Sequence, residues 1–254
     1  MTPTDQRARE SRLRSFFELP ADVPLVAAGS VLPQLSAPAE DHLRRYGFEW
    51  HVIPSVEAVP WDGTYSSRLY PTADVALRTP LHHGPTLQET LAAGHRRHQG
   101  RFIAVETTVK PGYLPGNEQY YGTPFGFDAS RDPLSSFMGQ AGFVTRTRYN
   151  HNFTSLTELI RVLDTTWRTQ ELIPPGYRVS ICAPVAFNLI GTVFHPEWSQ
   201  TASLELGFYR DAHGNAQCFS VGPSGPNDFS FVRLIETEGE WVHLGFRLAL
   251  VPED

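Results

Sequence analysis

The chain has 254 residues, a formal net charge of −6 and only two cysteines, Cys182 and Cys218. This length is sufficient for one domain with a sizeable core. The acidic balance argues against nucleic acids and anionic membranes as partners, and no apolar run approaches the roughly 20 residues of a membrane-spanning helix. Two cysteines cannot form a disulfide framework, and no apolar secretory segment follows the N-terminal arginines, so we expect a cytoplasmic protein.

The first half of the chain mixes short helical and extended patterns. Thr86 and Glu89 have the spacing of a capping box, which marks the start of a helix. The stretch 54–85 contains five prolines and is typical of a long ordered loop. The predicted elements are helices over 5–18, 36–46 and 86–98, and strands over 23–28, 48–53 and 101–110.

The second half contains the clearest helical pattern and then changes to period two. Asp132 before Pro133 is typical of a helix start. Five apolar residues, the last of them Trp167, recur on one face of a helix predicted over 155–172, and we expect Trp167 to be buried. Alternating residues then predict strands over 177–185, 203–208 and 242–250, with a hairpin turn at 213–215.

These patterns favour an α+β fold, with a helix-rich N-terminal half followed by a mostly antiparallel C-terminal sheet. We expect a single domain over 1–254, of which 1–150 is a mixed part and 151–254 a helix with its sheet.

The first candidate site combines Glu106 and Lys110 on one face of the strand over 101–110. Lys110 is the only lysine among 21 basic residues, so any chemistry that needs a primary side-chain amine must use it. A carboxylate and an amine on one strand face can act as general acid and base. Because the opposite face is more apolar, we expect both side chains to face a solvent-accessible cavity. The alternative is an ordinary ion pair in which an arginine neutralises Glu106.

Two further groups could bind a ligand. The loop 111–128 is rich in glycine and proline and carries aromatic rings with polar tips, which suit a polar ring or a partner surface. Arg146 and Arg148 share a face if the chain is extended, and could clamp a carboxylate or phosphate. The predicted ligand-binding residues are Tyr113, Tyr120, Tyr121, Asp128, Arg146 and Arg148.

The histidines give a weaker signal for metal binding. His95 and His98 are three residues apart on a predicted helix and could share an ion, with His82 or His83 approaching from the preceding loop. No glutamate completes an H-E-x-x-H pattern. We therefore expect no metal and no other cofactor.

Two functions remain open from the sequence. The first is a small-molecule-binding protein that acts as an acid–base enzyme, of the hydrolase or lyase kind, on a polar anionic substrate. The second is a non-catalytic protein-binding module whose contact surface is formed by 54–85 and 111–128. A concave pocket favours the first, and a flat apolar patch favours the second.

Overall fold

A computed structural model describes most of the chain. The described residues are 3–59, 66–69, 96, 98–107, 113–114, 118–119, 132–144, 146–149, 151–200, 204–210, 216–222, 229, 231–235, 239 and 244–253. The predicted loops over 54–85 and 111–128, and the helix predicted over 86–98, lie mostly outside this part.

Helices occur in both halves of the described chain. They are α1 (Pro3–Phe17), α2 (Ala37–Arg45), α3 (Ser66–Leu69), α4 (Pro133–Gln140), α5 (Phe153–Thr169) and α6 (Pro184–Val193), followed by a 3-10 turn over Pro196–Gln200. None of these described helices is long and apolar enough to cross a membrane.

The described strands form two four-stranded sheets and one short pair. They are β1 (Phe48–Val52), β2 (Phe102–Glu106), β3 (Tyr113–Leu114), β4 (Glu118–Gln119), β5 (Tyr177–Ile181), β6 (Leu204–Arg210), β7 (Ala216–Gly222), β8 (Phe231–Ile235), β9 (Leu244–Phe246) and β10 (Leu248–Pro252). The first sheet has the order β1-β2-β10-β5 and is antiparallel. The second has the order β8-β7-β6-β9, in which only β6 and β9 are parallel. The fold is therefore mixed α+β with mostly antiparallel sheets.

The first sheet takes two strands from each half of the chain, so helices and sheet are not divided at residue 150. The prediction of a helix-rich N-terminal half followed by a sheet is thus too simple. The strand predicted over 23–28 is also wrong, because these residues form turns. They are held in place by backbone hydrogen bonds to other segments, such as Ser55 N to Leu25 O at 2.9 Å.

Several local predictions are confirmed. The Asp132 side chain caps α4 by accepting a hydrogen bond from Leu134 N. Helix α5 begins with a capping box formed by Asn152 and Ser155, one turn earlier than expected. Trp167, on the buried face of α5, is 1% exposed and packs edge-on against Tyr46.

Helix α6 was missed by the sequence analysis, which predicted strand up to residue 185. Every residue of α6 except Thr192 is buried. A helix that is apolar all round has no polar face, so its 3.6-residue period is hidden. Pro184 stands in its first turn, where a missing N–H costs nothing.

Gly100 joins the turns over 23–28 to the end of β1. Its N donates to Ile53 O at 2.7 Å, and its O accepts from Ala27 N at 2.8 Å. Its φ is +70°, and a Cβ at this position would lie 2.6 Å from the Cβ of Ala27. Such a contact cannot form without moving the backbone of the neighbouring turn.

We therefore expect Gly100→Ala to lower the free energy of unfolding by about 2–4 kcal/mol, from positive-φ strain and overpacking together. Gly142→Ala is the matched control, because Gly142 also has positive φ (+81°) but nothing lies within 4 Å of its Cβ position. Urea denaturation measures both. Equal losses in the two variants would show that the close approach to Ala27 is unimportant.

Candidate functional site

Glu106, the first predicted catalytic residue, lies in a buried ion-pair network. Its two carboxylate oxygens accept hydrogen bonds from Arg148 at 2.6 and 2.5 Å. Arg148 also donates to Asp132, at 2.6 Å from Nε and 2.9 Å from Nη2. Although burial acts in the opposite direction, Glu106 and Asp132 raise the pKa of Arg148. The Glu106 side chain is 3% exposed.

The expectation that Glu106 faces a solvent-accessible cavity is therefore wrong. Both faces of β2 are buried, and the arginine pairing that the sequence analysis gave as the alternative is the arrangement found. The physical reason is the cost of an unpaired buried charge, which the Arg148 guanidinium removes.

Arg247 extends this network to the second sheet. It stands between β9 and β10 and makes two hydrogen bonds to Glu205 on β6, at 3.0 and 2.8 Å. It also donates to the backbone O of Glu106 at 2.7 Å. The network thus joins β2 of one sheet to β6 of the other.

The other predicted site residues do not come together in the described part. Arg148 is buried while Arg146 is exposed, so the predicted clamp by this pair does not form. Tyr113 lies in β3, which pairs with β4, but its side chain is not among those described. Lys110, Tyr120, Tyr121, Asp128 and His95 lie outside the described residues, and their roles remain predictions. His98 is described and is half-buried.

A different cluster of titratable side chains lines an open pocket of about 510 Å³, which we call the α1–β1 pocket. Its walls are Asp5, Ala8, Arg9 and Arg12 from α1, Phe48, Glu49 and Trp50 from β1, and Phe194 and His195 after α6.

Local structure explains how these side chains meet. Glu49 and His51 are two residues apart on β1, so the alternation of the strand places them on one face. His195 follows the C-cap of α6, and its backbone N donates to Ile190 O at 3.0 Å. Arg9 reaches both β1 residues from α1: Nη2 donates to Glu49, and Nη1 lies 3.1 and 3.3 Å from the two ring nitrogens of His51.

His195 stands between two carboxylates. Its Nδ1 lies 2.7 Å from Glu197 Oε1, and its Nε2 lies 3.3 Å from Glu49 Oε2. Carboxylate oxygens only accept hydrogen bonds, so the ring donates from both nitrogens in this arrangement. The ring also stacks on Trp198, with centroids 5.0 Å apart and planes at 11°.

The charges of the cluster are set by its burial and by these partners. The hydrogen bond from His195 and the Arg9 guanidinium hold the pKa of the Glu49 carboxyl well below its usual range, against the effect of burial. Burial, and then Arg9, lowers the pKa of His51. Glu49 is therefore ionised and His51 neutral near pH 7.

Two arginines project over one aromatic ring at the pocket. The guanidinium carbons of Arg9 and Arg12 lie 5.5 and 5.4 Å from the ring centroid of Phe194. Arg9 is paired with Glu49, whereas Arg12 is exposed and has no ion pair among the described residues. The pocket therefore presents an arginine whose charge is available to a ligand.

Comparison with models of protein families, with curated proteins and with solved structures finds no match to this chain. The site is therefore interpreted from its own geometry.

Glu49, His51 and His195 also form a group with metal-ligand chemistry. One ligand-type atom from each of the three lies within 4.8 Å of the others. The sequence analysis missed this group. The strand predicted over 48–53 already placed Glu49 and His51 on one face, but nothing local to them indicates that His195 and Arg9 fold against that face.

A larger pocket, about 590 Å³, lies between α2, α4 and α5. Its one histidine, His42, packs edge-on against Trp167 at 4.5 Å, and burial lowers the pKa of that ring to about 4. No carboxylate hydrogen bond to His42 is found among the described residues. The α1–β1 pocket is therefore the better candidate for chemistry.

Proposed function

We propose that this protein binds a small anionic molecule in the α1–β1 pocket and acts on it by acid–base chemistry, as a hydrolase or lyase. The observation that carries the proposal is the combination in one concave site of Arg12, which makes no ion pair within the described part of the chain, with a histidine held between two carboxylates.

Binding is assigned to the arginines over Phe194. A guanidinium makes two parallel charge-assisted hydrogen bonds to a carboxylate or phosphate, which suits it to anion recognition. Because Arg12 makes no ion pair with a described carboxylate, it is the primary anchor for the ligand. Arg9, which is paired with Glu49, adds positive potential at the same wall of the pocket.

Proton transfer is assigned to His195. Glu197 accepts from Nδ1 and so orients the ring, leaving Nε2 toward Glu49 and the pocket. A carboxylate that fixes the tautomer and orientation of a histidine is the usual support for a general acid or base. Glu49, kept ionised by its partners, accepts on the Nε2 side of the ring, and the proton passes between His195 and the bound ligand.

The alternative function, a protein-binding module, depends on 54–85 and 111–128. Within the described residues, the concave polar pocket favours a small ligand over a flat contact surface.

Arg12→Gln tests the assignment of the anchor. We expect it to weaken the binding of phosphate and succinate by roughly 10- to 100-fold, since a hydrogen bond to a charged group contributes about 1.5–3 kcal/mol. Arg7→Gln is the matched control, because Arg7 is an exposed arginine of the same helix that does not line the pocket. Isothermal titration calorimetry gives the affinities. Equal binding by both variants, or no binding of either anion by the unaltered protein, would contradict the proposal.

A further inference from the structure

We propose that Glu49, His51 and His195 bind a divalent first-row transition metal ion, at the position that the guanidinium of Arg9 occupies in the structure described above. The inference concerns the same pocket but goes beyond the proposed function, because it does not depend on an anionic ligand. An ion on Nε2 of His195 would take the place of the proton transfer assigned to that atom in the metal-free protein.

The donor set has a recognised chemistry. Two imidazoles and one carboxylate suit zinc, iron, cobalt or nickel, and three protein ligands leave coordination positions open for water or a substrate. In a tetrahedral site, metal–ligand bonds of about 2.0–2.2 Å hold donor atoms roughly 3.3–3.6 Å apart. The three donors lie within 4.8 Å of one another, so a small inward movement completes the site.

The donors are fixed by the fold rather than by flexible loops. Glu49 and His51 come from one face of β1, which pairs with β2 along its whole length. The ring of His195 is oriented by a hydrogen bond between its Nδ1 and Glu197, which leaves Nε2 to bind the metal. A second carboxylate on the outer nitrogen of a metal-binding histidine is the usual support for that ligand.

Arg9 indicates that a cation suits this point. Its guanidinium donates to Glu49 and lies against both ring nitrogens of His51, so a positive charge already stands against two of the three donors. An ion and the guanidinium cannot share this space. When the metal binds, the Nε2 proton of His195 leaves to solvent and Arg9 moves toward the pocket, beside Arg12 and over Phe194.

Competition between the metal and Arg9 gives a specific test. The probes are Zn²⁺ alone, measured by calorimetry, and Co²⁺ alone, whose absorption spectrum reports nitrogen and oxygen ligation. We expect one ion per chain, and we expect Arg9→Gln to tighten binding at least tenfold because it removes the competing cation. Arg7→Gln, the same change on the same helix away from the donors, should leave the affinity unchanged.

Variants of the donors complete the test. Glu49→Gln and His195→Gln should each weaken Zn²⁺ binding at least tenfold. Arg9→Gln also removes a contact between α1 and β1 and can therefore loosen the helix. An independent readout is the rise in melting temperature that Zn²⁺ causes in the unaltered protein, which should be lost in His195→Gln. The inference is overturned if Arg9→Gln binds no tighter than Arg7→Gln, if no stoichiometric binding occurs, or if binding survives His195→Gln but is lost in His98→Gln.

Failure of this inference can be separated from failure of the proposed function. Loss of metal binding with intact, Arg12-dependent phosphate binding would reject the metal site alone. Metal binding that depends on His195, without any Arg12-dependent anion binding, would reject the anion assignment alone.

Discussion

Arg148→Met should lower the free energy of unfolding by about 3–5 kcal/mol, because removing one partner of a buried ion pair leaves uncompensated charge in the interior. Arg148 is 2% exposed and is the described partner of both Glu106 and Asp132 through side-chain hydrogen bonds. Methionine keeps the side chain long and unbranched, so the change removes mainly charge and hydrogen bonds. Urea denaturation with a constant m-value gives the loss.

Arg146→Met is the matched control for this prediction. Arg146 is two residues away and exposed, so its replacement should change stability by less than about 0.5 kcal/mol. Combining Arg148→Met with Glu106→Gln and Asp132→Asn should recover part of the loss, since it also removes the stranded charges. If Arg148→Met were as stable as Arg146→Met, the network would contribute nothing to folding.

Trp167→Ala should cost about 3–5 kcal/mol, as large-to-small changes in a core do. The indole is fully enclosed, with ring centroids 4.5 Å from His42, 4.9 Å from Tyr46 and 6.1 Å from Phe48. It therefore joins α5 to α2 and to the first sheet, and its loss leaves a cavity at the point where these elements meet.

Thermal or urea unfolding measures this loss, with Thr165→Ala as the control. Thr165 lies on the exposed side of the same helix, so its replacement should be nearly neutral. An unchanged melting temperature for Trp167→Ala would mean that this helix face does not carry the core contact.

The parts of the fold that the sequence predicts well are those decided by local pattern. Helix α5 has a long stripe of apolar residues on one face. Strand β1 is short, alternates apolar and polar residues, and is flanked by turn residues. Strand β2 was predicted in the right place, but the expected exposure of one face failed. The sequence does not show that Arg148, 42 residues later, neutralises Glu106.

The division between β9 and β10 was missed for a similar reason. The alternation of apolar residues continues through Arg247 without interruption, which predicts one strand over 242–250. In the fold, Arg247 marks the point where the chain passes from the second sheet to the first, held by Glu205 and by the backbone of Glu106. These partners are distant in sequence, so no local signal specifies the break.

The candidate site could not be predicted in full for the same reason. Its β1 residues could be placed on one face from the sequence, but the chemistry depends on Arg9, about 40 residues before them, and on His195, 146 residues after Glu49. Residues so far apart in the sequence do not form a motif with a recognisable spacing. Only the packing of α1 and α6 against the sheet brings them together.

The central claim is that the α1–β1 pocket is the ligand site, and mapping of backbone amide NMR shifts during a phosphate titration tests it most directly. We predict that the largest saturable shifts fall on residues 8–12 of α1 and on Phe194 and His195, and that Arg12→Gln removes them. Shifts concentrated instead at Lys110 and the loop 111–128 would contradict the account and place the ligand at the site first predicted from the sequence.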